Sequence, residues 1–291
     1  LKGDPLKPLF NRGLMARYPP GSTFKVTNAL IGRQEEVLFP GTTYECHGGF
    51  YAGNFHMGCH NHPSPVDLIE SIKVSCNNYY ANVFKRILQD NEFESVSKAF
   101  TNWKSYLQSF GFGDKLKVDL PNEVSGFLPS VDYYNKYYGK NRWGYLNVIS
   151  LAIGQGELGI TPIQMANMTS AIANRGHYYT PHVVKEIEGG KRIDERFRKK
   201  KQTKVDSVYY EEIIEGMDIA IEELILFGGG AQSPFWSQMI SDIADKPVSA
   251  TGMVDVANWG ACVLAGLAAG IFSDDILAQT AVGDMLGQWA P

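Results

Sequence analysis

The run of two prolines and a glycine at residues 19–21 constrains the fold more than any other short stretch of this chain. Proline lacks an amide donor and glycine favours turns, so such a run ends whatever element precedes it. The residues from Ser22 to about Gln34 then carry apolar side chains at near-helical spacing. We therefore predict a turn followed by a helix, with Ser22 at the helix N-terminus.

Ser22 and Lys25 form an S-x-x-K element. Residues three apart on a helix share one face, so the Lys25 amine is predicted to reach the Ser22 hydroxyl. Serine is a weak nucleophile, and a lysine that is desolvated beside it can remove its proton. The partial positive charge of the helix N-terminus would favour the alkoxide. The spacing alone is common in proteins, so this element needs support from the rest of the chain.

Composition bounds the class of protein. A chain of 291 residues that is 44% hydrophobic can form one large or two modest domains, each with a buried core. The net charge of -4, with both signs spread along the chain, predicts no nucleic-acid partner. The chain has no run of about 18 apolar residues and no signal-peptide pattern at its N-terminus, so we expect no signal or membrane segment in it. It also lacks an initiating Met, which suggests a fragment of a longer product.

Ser75, Cys76 and Asn77 fit a second pattern, S-x-N, which accompanies S-x-x-K in penicillin-recognising enzymes. There the serine hydroxyl relays a proton toward the leaving group, and the asparagine amide holds the substrate. Further segments match a family in the family's order: 17–25, 119–123, 126–129, 153–158 and 161–166. Residues 1–217 thus resemble the transpeptidase domain of a class B penicillin-binding protein, with the elongation type, penicillin-binding protein 2, as the nearest subgroup.

The resemblance implies a peptidoglycan D,D-transpeptidase, a serine acyltransferase of bacterial cell-wall and cell-shape synthesis. It makes Ser22 the acylated nucleophile, Lys25 its base, and Ser75 and Asn77 the second motif. Acyl transfer would need no cofactor, and the partners would be peptidoglycan stem peptides and β-lactams. The resemblance further implies a parent enzyme anchored in the bacterial inner membrane, facing the periplasm among cell-elongation proteins.

One motif of that family is missing, since neither Lys-Thr-Gly nor Lys-Ser-Gly occurs in the chain. In the family this strand supplies one of two backbone donors to the oxyanion hole, and losing such a donor costs about 10²–10³ in rate. We therefore expect an impaired or inactive transpeptidase. The expected fold class is α+β, namely the mostly helical part of the transpeptidase fold without most of its sheet.

The segment 39–65 is rich in glycine, histidine and cysteine, and we predict an irregular loop there. Thiolates and imidazoles at this density can hold zinc tetrahedrally. The set that we select is Cys46, Cys59, His62 and Cys76, where zinc would be structural. A disulfide between Cys46 and Cys59, or unpaired polar residues, are the alternatives.

The pattern changes after Met217 to alternating strands and helices. A strand at 224–227 leads into Gly228, Gly229, Gly230 and Ala231, where glycines would let backbone approach a nucleotide. Residues 219–291 resemble the C-terminal end of the FGGY carbohydrate kinases, such as xylulose kinases, which implies a small α/β segment of a ribonuclease H-like domain.

We therefore predict two domains, 1–217 and 218–291. The kinase's sugar-binding half and catalytic aspartate belong to sequence that this chain lacks, so phosphoryl transfer is not expected. ATP would bind only if the kinase segment retains its site. A nucleotide-binding fragment, or a fusion product without function, is the alternative to a transpeptidase.

Overall fold

The computed structural model describes residues 9–187 and 193–220, and beyond these residues 224–226, 238, 247–251 and 286–289. Its contacts divide the chain into two units, residues 1–217 and 218–291, which are described separately.

The centre of the first unit is helix α2, Lys25–Gln34, which continues directly from a 3-10 helix at Gly21–Phe24. Its residues 25–32 are all buried, as expected of a helix enclosed by others. Helix α4, Asn77–Leu88, and helix α5, Val96–Ser109, pack against it. The predicted helix after the Pro-Pro-Gly turn is thus confirmed, and its first turn is 3-10.

The other α-helices within residues 9–187 and 193–220 lie before, between and after these three along the chain. They are α1 Arg12–Met15, α3 Leu68–Lys73, α6 Val131–Tyr138, α7 Tyr145–Val148, α8 Pro162–Ala173 and α9 Tyr210–Ala220. Helix α8 begins at Pro162, because the Thr161 side chain accepts from the Gln164 N–H and proline suits the first helical position. No helix in the described part of the chain is long and apolar enough to cross a membrane.

The segment that we predicted as an irregular loop contains a β-hairpin, so that prediction was wrong in part. Strands β1, Gly49–Ala52, and β2, Phe55–Gly58, pair antiparallel. Gly53, with φ 58°, opens the two-residue turn between them, a conformation that glycine adopts without steric cost. Phe50 and Met57 face each other in the register and both are buried. Short strands β3, His177–Tyr178, and β4, Lys201–Gln202, form a second antiparallel pair.

Among the described residues of the second unit, strands β5, β6 and β7 form one sheet in that order. Strand β5, Leu224–Leu226, runs parallel to β6, Val248–Thr251, and β7, Leu286–Trp289, is antiparallel to β6. Strand β5 lies where the sequence predicted a strand, at 224–227. The predicted nucleotide-binding residues Gly228, Gly229, Gly230 and Ala231 lie outside the described residues, as does most of the predicted kinase segment.

Candidate active site and the adjoining cysteine cluster

Ser22 lies in the 3-10 turn that leads into α2, and its side chain is exposed. A backbone hydrogen bond fixes this turn, because the Gly21 N–H donates to the Gly154 carbonyl oxygen at 2.9 Å. A Cβ on Gly154 would lie 2.1 Å from the Gly21 oxygen, and Gly154 itself has φ 69°. Only glycine fits there. The backbone at Gly154 therefore supports the turn that carries Ser22.

Lys25 opens α2 and is only 2% exposed. Its ammonium donates to the Ser75 hydroxyl at 2.8 Å, to the Ser75 carbonyl at 2.6 Å and to Asn77 Oδ1 at 2.7 Å. None of these three bonds goes to Ser22, which lies one turn earlier. The structure thus brings Lys25, Ser75 and Asn77 into direct contact and places Ser22 beside them on the chain.

Ser75 can present two oxygens to one ammonium because of its backbone. Its φ is 52°, in the left-handed region that residues other than glycine rarely adopt. This conformation turns the chain sharply between α3 and α4, so that the carbonyl and hydroxyl of Ser75 both point at Lys25. Such backbone outliers are concentrated at functional sites. The sequence pattern identified this residue without indicating its conformation.

Burial lowers the pKa of Lys25 to about 8, although negative charge at Cys59 and Cys76 acts in the opposite direction. The Lys25 ammonium also lies 5.6 Å from the centre of the Tyr80 ring. A lysine with a pKa near 8 is partly neutral at physiological pH and can accept a proton. The chemistry that the arrangement supports is activation of a nearby hydroxyl nucleophile.

Asn77 is held from two sides by the end of the hairpin. Its backbone N–H donates to Cys59 Sγ at 3.2 Å, and its side-chain nitrogen donates to the Gly58 carbonyl at 2.8 Å. The amide oxygen is left to accept from Lys25. Sequence reasoning missed this role of Gly58, because nothing in a glycine next to a cysteine indicates a partner nineteen residues away.

The cysteine cluster lies immediately behind Asn77. The ligand atoms of Cys46, Cys59, His62 and Cys76 all lie within 4.8 Å of one another. Neighbouring ligands of a tetrahedral zinc ion lie about 3.5–3.8 Å apart, and Cys59 Sγ is 3.5 Å from His62 Nε2. In the described part of the chain Cys46, Cys59 and Cys76 are free thiols.

The surroundings of these four residues suit a cation. His62 Nδ1 lies 2.7 Å from the Pro63 carbonyl oxygen, so Nδ1 carries the proton and the lone pair of Nε2 faces the cluster. Burial would raise the pKa of Cys59, but hydrogen bonds to its sulfur, chiefly from the Asn77 backbone N–H, outweigh burial and lower that pKa. Burial raises the pKa of Cys76 to about 12. A metal ion would hold that sulfur as a thiolate by displacing its proton.

Comparison with known proteins assigns the class. The family described as penicillin binding protein transpeptidase domain matches residues 2–223. The chain therefore belongs to the penicillin-binding protein transpeptidase family. Several of its relatives are named MrdA or penicillin-binding protein 2, which are of the class B type. Peptidoglycan D,D-transpeptidase MrdA of Acinetobacter baumannii is 30% identical over 194 residues, 64% of this chain and 26% of that protein.

Solved structures show the same fold. Pseudomonas aeruginosa PBP2 in complex with WCK 5153 has a TM-score of 0.61 at 28% identity, covering 75% of this chain and 48% of that one. Helicobacter pylori PBP2 in complex with MreC has a TM-score of 0.58 at 25% identity, covering 75% and 38%. The α+β prediction is confirmed for the transpeptidase part. The chain spans about a quarter of the length of its curated relatives, 26% and 28% for two of them.

A second family matches the end of the chain. The family described as the C-terminal domain of FGGY carbohydrate kinases matches residues 207–269. That range overlaps the transpeptidase match at residues 207–223.

Proposed function

We propose that this chain is the Ser22-bearing part of a peptidoglycan D,D-transpeptidase. Ser22 is the nucleophile that attacks the carbonyl next to the terminal D-alanine of a stem peptide. Lys25 accepts its proton, and Ser75 and Asn77 complete the site. The observation that carries the proposal is the buried Lys25 ammonium, 2.7 Å from Asn77 and one turn after Ser22.

The experiment is covalent labelling by fluorescent penicillin. Without a Lys-Thr-Gly strand the chain is expected to label about 10²–10³ times more slowly than an intact relative. Ser22→Ala should abolish the label, and Thr23→Ala, which alters the exposed neighbouring hydroxyl, should keep it. Label that survives Ser22→Ala would refute the assignment of the nucleophile. Stoichiometric labelling within minutes would refute the expected loss of labelling rate.

The same proposal assigns zinc to Cys46, Cys59, His62 and Cys76. The four ligand atoms lie close enough for one ion, and the Cys59 sulfur already accepts from the Asn77 backbone. A metal there would tie the hairpin to the second motif, since Cys59 follows β2 and Cys76 caps α4. Elemental analysis of purified protein should find up to one zinc per chain. Protein free of metal after preparation without chelators would refute this assignment.

We further propose that the chain is a composite, with a transpeptidase domain at 1–217 and a carbohydrate-kinase segment at 218–291. The separate family matches and the division of contacts support it. Nucleotide binding at Gly228, Gly229, Gly230 and Ala231 is the activity that the kinase segment would retain. Brief proteolysis should cut between Asp218 and Glu223, and the chain should bind ATP only weakly. A single cooperative unfolding transition without such cleavage would refute the composite.

A further inference from the structure

A row of contacting aromatic rings begins beside the loop that carries Ser22. The Phe127 and Tyr133 rings have centres 5.4 Å apart, and the Tyr133 and Tyr137 rings 4.8 Å apart. Tyr133 and Tyr137 are one turn apart on α6 and so lie on one face of that helix. Tyr137 is 69% exposed and Phe127 is 37% exposed. Large apolar side chains that are both exposed and contiguous indicate a binding surface.

Arg17 lies beside Phe127 at one end of this row. The chain at Gly159 pairs with Phe127 through two backbone hydrogen bonds, and next to it Ile160 pairs with Tyr18. A Cβ on Gly159 would lie 3.5 Å from Cβ of both Arg17 and Phe127. Arg17 and Phe127 therefore both lie beside Gly159. Arg17 precedes Ser22 by five residues in the sequence.

The guanidinium of Arg17 is exposed, and none of the hydrogen bonds or ion pairs of the described residues uses it. The Glu157 carboxylate accepts from the Tyr134 hydroxyl at 2.8 Å and forms no ion pair with Arg17 in the described part of the chain. Arginine binds carboxylates through paired N–H donors, and aromatic faces cover apolar surface while tyrosine hydroxyls bind polar groups. The surface therefore suits a ligand with flat apolar ring faces, hydroxyls and a carboxylate.

We infer that Arg17, Phe127, Tyr133 and Tyr137 form a subsite for the glycan and stem peptide of a peptidoglycan strand. Sugar rings lie on the aromatic row and a stem-peptide carboxylate binds Arg17. The inference rests on the proposed function, because that function supplies a substrate in which sugars and an anionic peptide are joined. A peptidoglycan strand is favoured over a protein partner for two reasons. The row adjoins backbone at 159–160 that pairs with Tyr18, four residues before Ser22, and Arg17 has no ion pair among the described residues.

The test measures binding without turnover, by titrating the full-length Ser22→Ala protein by calorimetry. The ligands are a soluble fragment of two disaccharides with stem peptides, and the stem peptide alone. The fragment should bind at least about fivefold more tightly than the peptide. Tyr137→Ala should weaken fragment binding about two- to tenfold. Arg17→Gln should weaken both ligands about tenfold.

The matched controls alter the same residue types elsewhere on the surface. Tyr179→Ala removes a tyrosine that is 46% exposed and contacts His177, and Arg198→Gln removes an exposed arginine. Both should bind the fragment as the parent does. Equal binding of fragment and peptide, unchanged binding by Tyr137→Ala and Arg17→Gln, or no binding at millimolar fragment would overturn the subsite. Penicillin labelling of Ser22 reports on the proposed function separately, so failure of one is distinct from failure of the other.

Discussion

Lys25 Nζ and Asn77 Oδ1 are 2.7 Å apart, so the first and second motifs are joined by a direct hydrogen bond. The nitrogen of the same amide donates to the Gly58 carbonyl. The two ends of an amide differ as acceptor and donor, and this pair of bonds fixes which end faces the lysine. The hairpin that ends at Gly58 thereby helps to set the environment of the base.

The first prediction concerns Asn77→Asp. A carboxylate in place of the amide would favour the charged form of Lys25 and raise its pKa above about 8. Less neutral amine would then be present near pH 7, so penicillin labelling should slow about tenfold and recover partly at higher pH. Labelling rates across pH 6–10 measure this. Asn82→Asp on the same helix, whose amide donates to Asn78, is the control that adds the same charge. Coincident profiles for Asn77→Asp and the parent would contradict the prediction.

The second prediction is the pH profile of the unaltered chain. The folded pKa of Lys25 is lowered from 10.5 to about 8. Below that pH the amine is protonated and cannot act as a base, so the labelling rate should rise about tenfold per pH unit up to pH 8 and then level. Lys25→Arg stays protonated throughout and should not label. A flat profile between pH 6 and 8 would exclude Lys25 as the base.

The sequence predicted the site through short-range patterns and missed what depends on folding. Ser22 and Lys25 are three apart, and Asn77 lies two residues after Ser75, so local motifs were enough to name them. The left-handed backbone of Ser75 and the bond from Asn77 to Gly58 arise only when the hairpin folds against α4. Strand pairing at 49–58 was missed because the alternation of buried side chains is short and interrupted by glycine and histidine.

The third prediction concerns the stability that Glu123 provides to the folded chain; Glu123 lies in the family segment 119–123. Glu123 is buried, and its carboxylate accepts backbone N–H bonds from Leu116, Lys117 and Val118. Glu123→Ala would leave these three donors without that acceptor and should lower the free energy of unfolding by about 2–4 kcal/mol. Urea denaturation followed by tryptophan fluorescence measures the loss.

Glu94→Ala provides the comparison for Glu123→Ala, since it removes an exposed glutamate before α5. Its effect should stay within about 0.5 kcal/mol. The role given to Glu123 would be contradicted by equal denaturation midpoints for the two variants.

The last prediction tests whether metal at the cysteine cluster controls the second motif. Cys59 contacts the Asn77 backbone, and Cys76 lies between Ser75 and Asn77, so zinc would bind on both sides of the residue that faces Lys25. Cys76→Ser should lose bound zinc, lower the melting temperature and slow penicillin labelling together. A chelator should do the same to the parent, because removing a ligand of the folded state removes its share of stability. His47→Ala is the control, since His47 is exposed and pairs with Glu45 outside the four ligands. An unchanged melting temperature after chelation, or a labelling rate that is independent of zinc content, would contradict the claim that metal at the cluster positions Asn77.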